Sequence, residues 1–158
     1  MIFVVLGTQR FPMNRVIDKI DNLIEIGFLN KNKIVIQNGH SKNSKYAENL
    51  GMIDESAFNN YIKNSDIVIT HGGTSSIIKA LRNNKKTIII PRRADLREHV
   101  DNHQFEISDM FKNNGYAEVV LDIEDLKEAI INIEQKEYKK LSLPNGLADF
   151  LINDILKL

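Results

Sequence analysis

The sequence predicts an α/β chain built on a doubly wound parallel sheet. Short apolar, β-branched runs recur at Ile2–Leu6, Lys33–Gln37, Ile67–Thr70 and Thr87–Ile90. Segments with apolar residues at helical spacing separate them. The runs are apolar almost throughout rather than alternating with polar residues, which is the pattern of strands covered on both faces. Strand–helix alternation with right-handed crossovers then gives a Rossmann-like sheet between two layers of helices.

The elements follow in order. Ile2–Leu6 is a buried first strand. Val16, Ile17, Ile20, Leu23 and Ile24 repeat at helical spacing, and Asn14 stands where a cap is needed. Lys33–Gln37 is the second strand, and Glu48–Ile53 holds a weaker one. Ala57, Phe58, Tyr61 and Ile62 mark a short helix with Asp54 as its cap. After Ile67–Thr70, a helix carries Ile77, Ile78 and Leu81. Pro91 closes the strand Thr87–Ile90. A helix is expected from Val100 to Asn113, with Gly115 ending it in the left-handed conformation that glycine adopts at little cost. Ala117–Leu121 is the next strand. Asp122 caps a helix carrying Ile123, Leu126, Ala129, Ile130 and Ile133. Pro144 breaks the chain, and a last helix within the segment 142–158 carries Leu147, Leu151 and Ile155, an apolar element suited to docking on a partner or on its own domain.

A chain of 158 residues suits one domain, here spanning 1–158. Lys plus Arg and Asp plus Glu both number 21. No basic block of the kind that grips nucleic acid stands out. The absence of cysteine excludes disulfides and thiolate metal sites and fits a reducing compartment. No run is long enough to span a bilayer, and "MIFVVLG" reads as a strand rather than a signal peptide. The expected location is the cytosol, with membrane contact through a partner.

In doubly wound sheets ligands meet the carboxyl ends of the strands, so the informative loops follow Leu6, Gln37, Thr70 and Ile90. The first is "GTQRFP", where Gly7 allows close backbone approach and Thr8 and Gln9 offer hydrogen-bonding groups. Neither the G-x-G-x-x-G fingerprint nor the G-x-x-x-x-G-K-S/T phosphate loop is present. The second, "NGHSKNSKY", reads as a turn with a solvated His40. The third is "HGGTSS". Gly72 and Gly73 clear side chains from a strand-to-helix turn, and Thr74, Ser75 and Ser76 put hydroxyls on the helix's first turn. Unpaired N–H groups there attract anions, and His71 can add a further donor. The plain alternative is a tight turn with a threonine cap and a packed histidine.

The fourth loop leads into "PRRADLREHVDNHQ". Val100, Ile107, Met110 and Phe111 define an apolar helix face that His103 and Gln104 interrupt. Such polar groups need partners, and a hydroxyl-bearing ligand would supply them. Arg92, Arg93 and Arg97 read as solvated charges. Glu98 and Asp101 are candidates for capping or for accepting from sugar hydroxyls. Asp66 falls at the wrong end of its strand to pair with His71. The spacing of His71, His99 and His103 matches no standard zinc pattern.

Taken together, "FVVLGTQRFPMNRVI", "IVIQNGHS", "DIVITHGGTSSIIKAL" and "IPRRADLREHVDNHQFEIS" resemble, in order and over nearly the whole chain, the C-terminal domain of glycosyltransferase family 28. Within that family the motifs resemble those of the small donor-binding subunits of two-component enzymes. These are the bacterial capsule and exopolysaccharide β-1,4-galactosyltransferase enhancers and the eukaryotic subunit that helps add N-acetylglucosamine to a dolichol-linked sugar. The "GTQRFP" start is most similar to the bacterial group.

The resemblance implies the C-terminal half of a GT-B glycosyltransferase, working with a separate membrane-associated subunit that binds the acceptor. His71, Gly72, Gly73 and Thr74 match the family's diphosphate turn, which Ser75 and Ser76 extend. His103 and Gln104 match a pair that contacts the donor sugar. Glu98 and His99 match a recurring "EH" at the donor cleft, and Gly7 and Thr8 match the loop facing it. Lys79 stands where related enzymes often have a ribose-binding glutamate.

The implied reaction is transfer of a hexose, galactose favoured, from a UDP-sugar to a lipid-linked saccharide in polysaccharide synthesis. It inverts, uses no metal or cofactor, takes its base from the partner, and has His71 stabilising the leaving diphosphate. Glu98 is a second catalytic candidate. The competing expectation is a non-catalytic enhancer that stabilises a glycosyltransferase partner. A homodimer is an assembly left open for the chain without its partner.

Overall fold

The computed structural model describes residues 1–141. Six strands form one fully parallel sheet: β1 (Ile2–Val5), β2 (Ile34–Gln37), β3 (Glu48–Asn49), β4 (Ile67–His71), β5 (Lys86–Ile90) and β6 (Glu118–Val119), in the spatial order β3-β2-β1-β4-β5-β6. The helices between them are α1 (Asn14–Glu25), α2 (Glu55–Asn64), α3 (Thr74–Arg82), α4 (His103–Asn113) and α5 (Leu126–Gln135). This is the doubly wound, Rossmann-like architecture that the apolar runs predict.

Strand geometry sorts the core into two layers, because successive side chains leave a strand on opposite faces. Val4, Ile36, Ile69, Ile88 and Ile90 pack with Val16, Ile17 and Ile20 of α1 and Ile130 and Ile133 of α5. Phe3, Val5, Val35 and Val68 point the other way, toward Ile62 of α2 and Ala80 of α3. Phe3 stacks on Tyr61 with ring centroids 5.3 Å apart and meets Phe58 edge-on at 5.7 Å. Ile89 joins Ile77 and Leu81 of α3 and Ile107 and Phe111 of α4. Each central strand is thus buried on both sides.

Several local expectations change. Asn14 is the first residue of α1 rather than its cap; its Oδ1 accepts from the Lys42 N–H, tying α1 to the loop after β2. Asp54 does cap α2, accepting from the Ala57 N–H. Asp122 caps a single 3-10 turn, Ile123–Asp125, and α5 starts only after it. The strands at 48–53 and 117–121 shrink to two-residue edges, which have one neighbour each and need no long ladder. The expected helix from Val100 starts at His103, and Val100 is 74% exposed, outside the apolar face it was expected to begin. The segment before it is held by side chain-to-backbone bonds: Asn102 Oδ1 accepts from Ala94, and Asp101 Oδ1 accepts from His103. Gly115 ends α4 at φ +78°, in the left-handed region. The docking helix expected within 142–158 lies outside the described residues.

Candidate functional site

The sheet order reverses direction between β1 and β4, so the loops leaving these neighbouring strands diverge. A crevice opens there in this class of sheet. In this chain it is a cleft of about 350 Å³ lined by Gly7, Thr8, Gln9, Gln37, His71, Gly73, Thr74, Ser75 and Ser76, with Val5, Ile53 and Phe58 at its apolar end. The first and third sequence loops therefore meet, as walls of one space.

The first wall is held by a residue that the sequence reading passes over. Gln37 is buried at the end of β2. Its Oε1 accepts from the Gly7 N–H at 3.0 Å, and its Nε2 donates to the Gly7 and Gly51 carbonyls at 3.1 and 3.2 Å. Gly7 sits at φ +82°, where an L side chain is strained. The signal for Gln37 is present in the sequence: a polar amide ends the otherwise apolar run "KIVIQ" at the carboxyl edge of the sheet.

The second wall explains the paired glycines. The His71 ring fills the space that a Cβ at Gly73 or Gly7 would need: Cε1 would lie 2.2 Å from the first, and Nε2 2.6 Å from the second. A Cβ on Gly72 would lie 2.6 Å from the Gln104 Cβ. The glycines make room for two polar side chains. Past them, α3 begins with Gly73 as N-cap residue and no side chain capping its first turn. The bland expectation of a threonine cap therefore fails, and Gly73–Ser76 face the cleft.

His71 is buried. Burial foremost, then the positive Arg92 and the neighbouring His99, push its pKa from the ordinary 6.5 down to about 3, against a smaller upward pull from Gln104. At neutral pH the ring is uncharged.

Gln104 lies behind His71 and does not line the cleft. Its Oε1 accepts from the Gly72 N–H at 3.0 Å and the Arg92 N–H at 2.9 Å, and its Nε2 stands 3.4 Å from His71 Nδ1. The partners demanded by the polar break in the α4 stripe are, for Gln104, protein groups.

Glu98 is also drawn away. Its carboxylate takes the Arg15 guanidinium, Oε1 to Nε at 2.7 Å and Oε2 to Nη2 at 3.0 Å, and Oε2 accepts from the Arg93 N–H at 3.0 Å. Its side chain is 4% exposed. His99 is turned to Asp101, Nδ1 to Oδ1 3.1 Å, and His103 stands 3.6 Å from Glu106. Neither lines the cleft.

Arg92 overturns the expectation of a solvated charge: it is 1% exposed. Its guanidinium donates to the backbone carbonyls of Leu6, Phe11 and Glu98, while its Nε has no partner. It fastens the loop after β1 to the loop after β5. Burial lowers its pKa from the ordinary arginine value and Glu98 opposes this. Lys79, on the other side, is tied to Glu55 at 2.9 Å and lies 5.3 Å over the Phe58 ring at the apolar end of the cleft. Among the described residues no three His, Asp or Glu side chains converge as a metal site, and no helix is long and apolar enough to cross a membrane.

A model of the glycosyltransferase family 28 C-terminal domain matches residues 1–150. The chain belongs to that family. Curated relatives of this family 28 domain include the UDP-N-acetylglucosamine transferase subunit ALG13 of Candida albicans, 38% identical over 77 residues, which cover 49% of this chain and 25% of that protein. The Saccharomyces cerevisiae protein of the same name is 44% identical over 53 residues, 34% of this chain and 24% of that one. The matches thus span about a quarter of these relatives' length. Among solved structures, the solution structure of ALG13 superposes with a TM-score of 0.62 at 20% identity, covering 95% of this chain and 93% of that one. Acinetobacter baumannii MurG gives 0.61 at 13% identity, with 98% and 49% covered. Both support the fold: the family 28 domain has the shape of one half of a GT-B enzyme.

Proposed function

We propose that this chain is the donor-binding, catalytic subunit of a heteromeric inverting glycosyltransferase, seating the diphosphate of a UDP-sugar on the turn Gly73–Ser76, with Gly72, whose N–H is taken by Gln104, shaping the turn from behind. The observation that carries the reading is the uncapped first turn of α3 opening on the switch-point cleft with His71 at its edge. Membership of family 28 supports a sugar nucleotide as ligand. The names of the ALG13 relatives support N-acetylglucosamine as the sugar and a subunit as the working form. The galactose and capsule expectations have no counterpart among these relatives, so UDP-N-acetylglucosamine comes before UDP-galactose as the donor to test.

In this reading an acceptor hydroxyl attacks the anomeric carbon as the bond to the diphosphate breaks. Negative charge builds on the leaving diphosphate, where the first-turn amides of α3 and the His71 N–H meet it without a metal. Preorganised donors of this kind are usually the largest single electrostatic contribution to such a step. The helix end adds about 0.3–1 kcal/mol for an exposed anion. Thr8 and Gln9 reach the ligand from the opposite wall; a sugar role for His99, before α4, and His103, its first residue, rests on the family resemblance alone, because neither lines the cleft. Glu98 is committed to Arg15, so the base comes from a membrane-associated partner that also presents the lipid-linked saccharide. The chain then works at the cytosolic membrane surface through that partner.

Calorimetric titration of the chain with UDP, UDP-N-acetylglucosamine and UDP-galactose tests this, alone and with the acceptor-binding subunit. Binding that His71→Ala weakens supports the reading. No binding under either condition, with the partner's activity still raised by His71→Ala protein, overturns it in favour of a scaffold.

A further inference from the structure

The Gln104 amide has one orientation available. Its Oε1 accepts from two backbone N–H groups, those of Gly72 and Arg92. An amide NH₂ cannot accept, so flipping the group would set donors against donors at two buried positions. The end that faces His71 Nδ1 at 3.4 Å is therefore the NH₂. That distance is long for a strong bond, yet polarity decides the matter: a protonated Nδ1 would confront another donor. Nδ1 must keep its lone pair, and the one proton of an uncharged imidazole then sits on Nε2. Nε2 is the ring atom nearest the empty Cβ position of Gly7, at 2.6 Å, and lies 2.8 Å from that of Gly73. Both glycines line the cleft, as does His71.

We infer that Gln104 is a positioning residue that sets the tautomer of His71, keeping its proton on Nε2 as a donor at the wall of the cleft. Two backbone bonds from separate segments, the turn after β4 and the loop after β5, fix the amide, and the amide fixes the ring. The use of that N–H on a diphosphate oxygen rests on the donor reading above; the tautomer itself does not.

The test is the long-range proton–nitrogen correlation pattern of the histidine rings in the full, ¹⁵N-labelled chain at neutral pH, with His71 assigned by comparison with His71→Asn. The wild type should show His71 as the Nε2–H form. Gln104→Glu keeps an acceptor for the Gly72 and Arg92 amides, so the fold is retained, but a carboxylate cannot donate to Nδ1. His71 should move to the Nδ1–H form or to imidazolium. Gln104→Met removes the director and should give a mixture. An Nδ1–H or doubly protonated His71 in the wild type overturns the inference without any variant. So does an unchanged Nε2–H pattern in folded Gln104→Glu. UDP titration of the same samples separates the two claims. Where Gln104→Glu puts His71 in the Nδ1–H form, affinity should fall about tenfold, the value of one hydrogen bond to a charged group; an imidazolium keeps its Nε2–H and should hold UDP at least as well as the wild type. A predicted tautomer shift with no UDP binding to either protein leaves Gln104's role intact and counts against the donor reading alone.

Discussion

Arg15 and Glu98, 83 residues apart in the chain, meet in a two-pronged ion pair at 2.7 and 3.0 Å, with 15% and 4% of their side chains exposed. Arg15 also donates to the Pro91 carbonyl, and Glu98 accepts from the Arg93 N–H. The pair joins α1 to the loop after β5, beside the Arg92 guanidinium that joins the same loop to the one after β1. The carboxylate that resemblance places at the donor cleft serves here to hold the cleft's frame.

Breaking that pair should cost stability before it costs chemistry. Glu98→Ala leaves a largely buried guanidinium without its partner and is expected to destabilise by about 3 kcal/mol, the low end for a broken buried pair. Urea unfolding of the variant measures this. A Glu98 variant with full stability and lost transferase activity would return Glu98 to the catalytic group.

Gly73→Ala isolates the steric argument. Its φ is −75°, ordinary for any residue, so the whole effect comes from a Cβ 2.2 Å from the His71 ring. The ring must move. Overpacking of this kind costs about 1–3 kcal/mol, and UDP affinity should drop while the circular dichroism spectrum stays native.

Gln37→Met tests the first wall. It keeps length but removes the acceptor for the Gly7 N–H and the donor to the Gly7 and Gly51 carbonyls. A loss of about 2–3 kcal/mol is expected for these part-buried groups, with faster hydrogen exchange at Gly7 than in the strands.

Acid should unfold the chain partly through His71. Its pKa is 6.5 in its ordinary state and about 3 in the fold. Between these values the unfolded chain binds a proton that the native one refuses, so stability is complete above pH 6.5 and falls as pH drops toward 3. The full window is worth at most about 4–5 kcal/mol. Unfolding free energies at several pH values should show a steeper decline in the wild type than in His71→Asn; parallel profiles would mean that the ring charges freely in the fold.

The fold was legible because its signals are local. Uninterrupted apolar runs such as Ile67–Ile69 announce buried strands, and Asp54 and Gly115 mark helix ends by their own chemistry. The turn His71–Ser76 was legible for the same reason: glycines and hydroxyls stand together in the chain. What stayed hidden depends on contacts between distant segments. Nothing near Arg92 in the sequence tells that its guanidinium ends on the carbonyls of Leu6 and Phe11. Nothing near Gln104 tells that two backbone amides claim its oxygen. A polar residue in an apolar stripe reads equally as a ligand contact or as an internal brace, and only the partner decides. Val100 misled because helical spacing continued past the point where Asp101 and Asn102 turn the chain.

Thr8, Gln9 and Ser75 stand exposed around the cleft. An anion resting there has water on its far side, and water's high permittivity mutes every attraction it feels: a unit charge pair 4 Å apart is worth about 1 kcal/mol in bulk water and about 4 kcal/mol near a protein surface. A second surface laid over these residues would amplify the field of α3 and His71 simply by excluding solvent. That gain comes from covering the site alone and adds to whatever reactive group the covering surface brings.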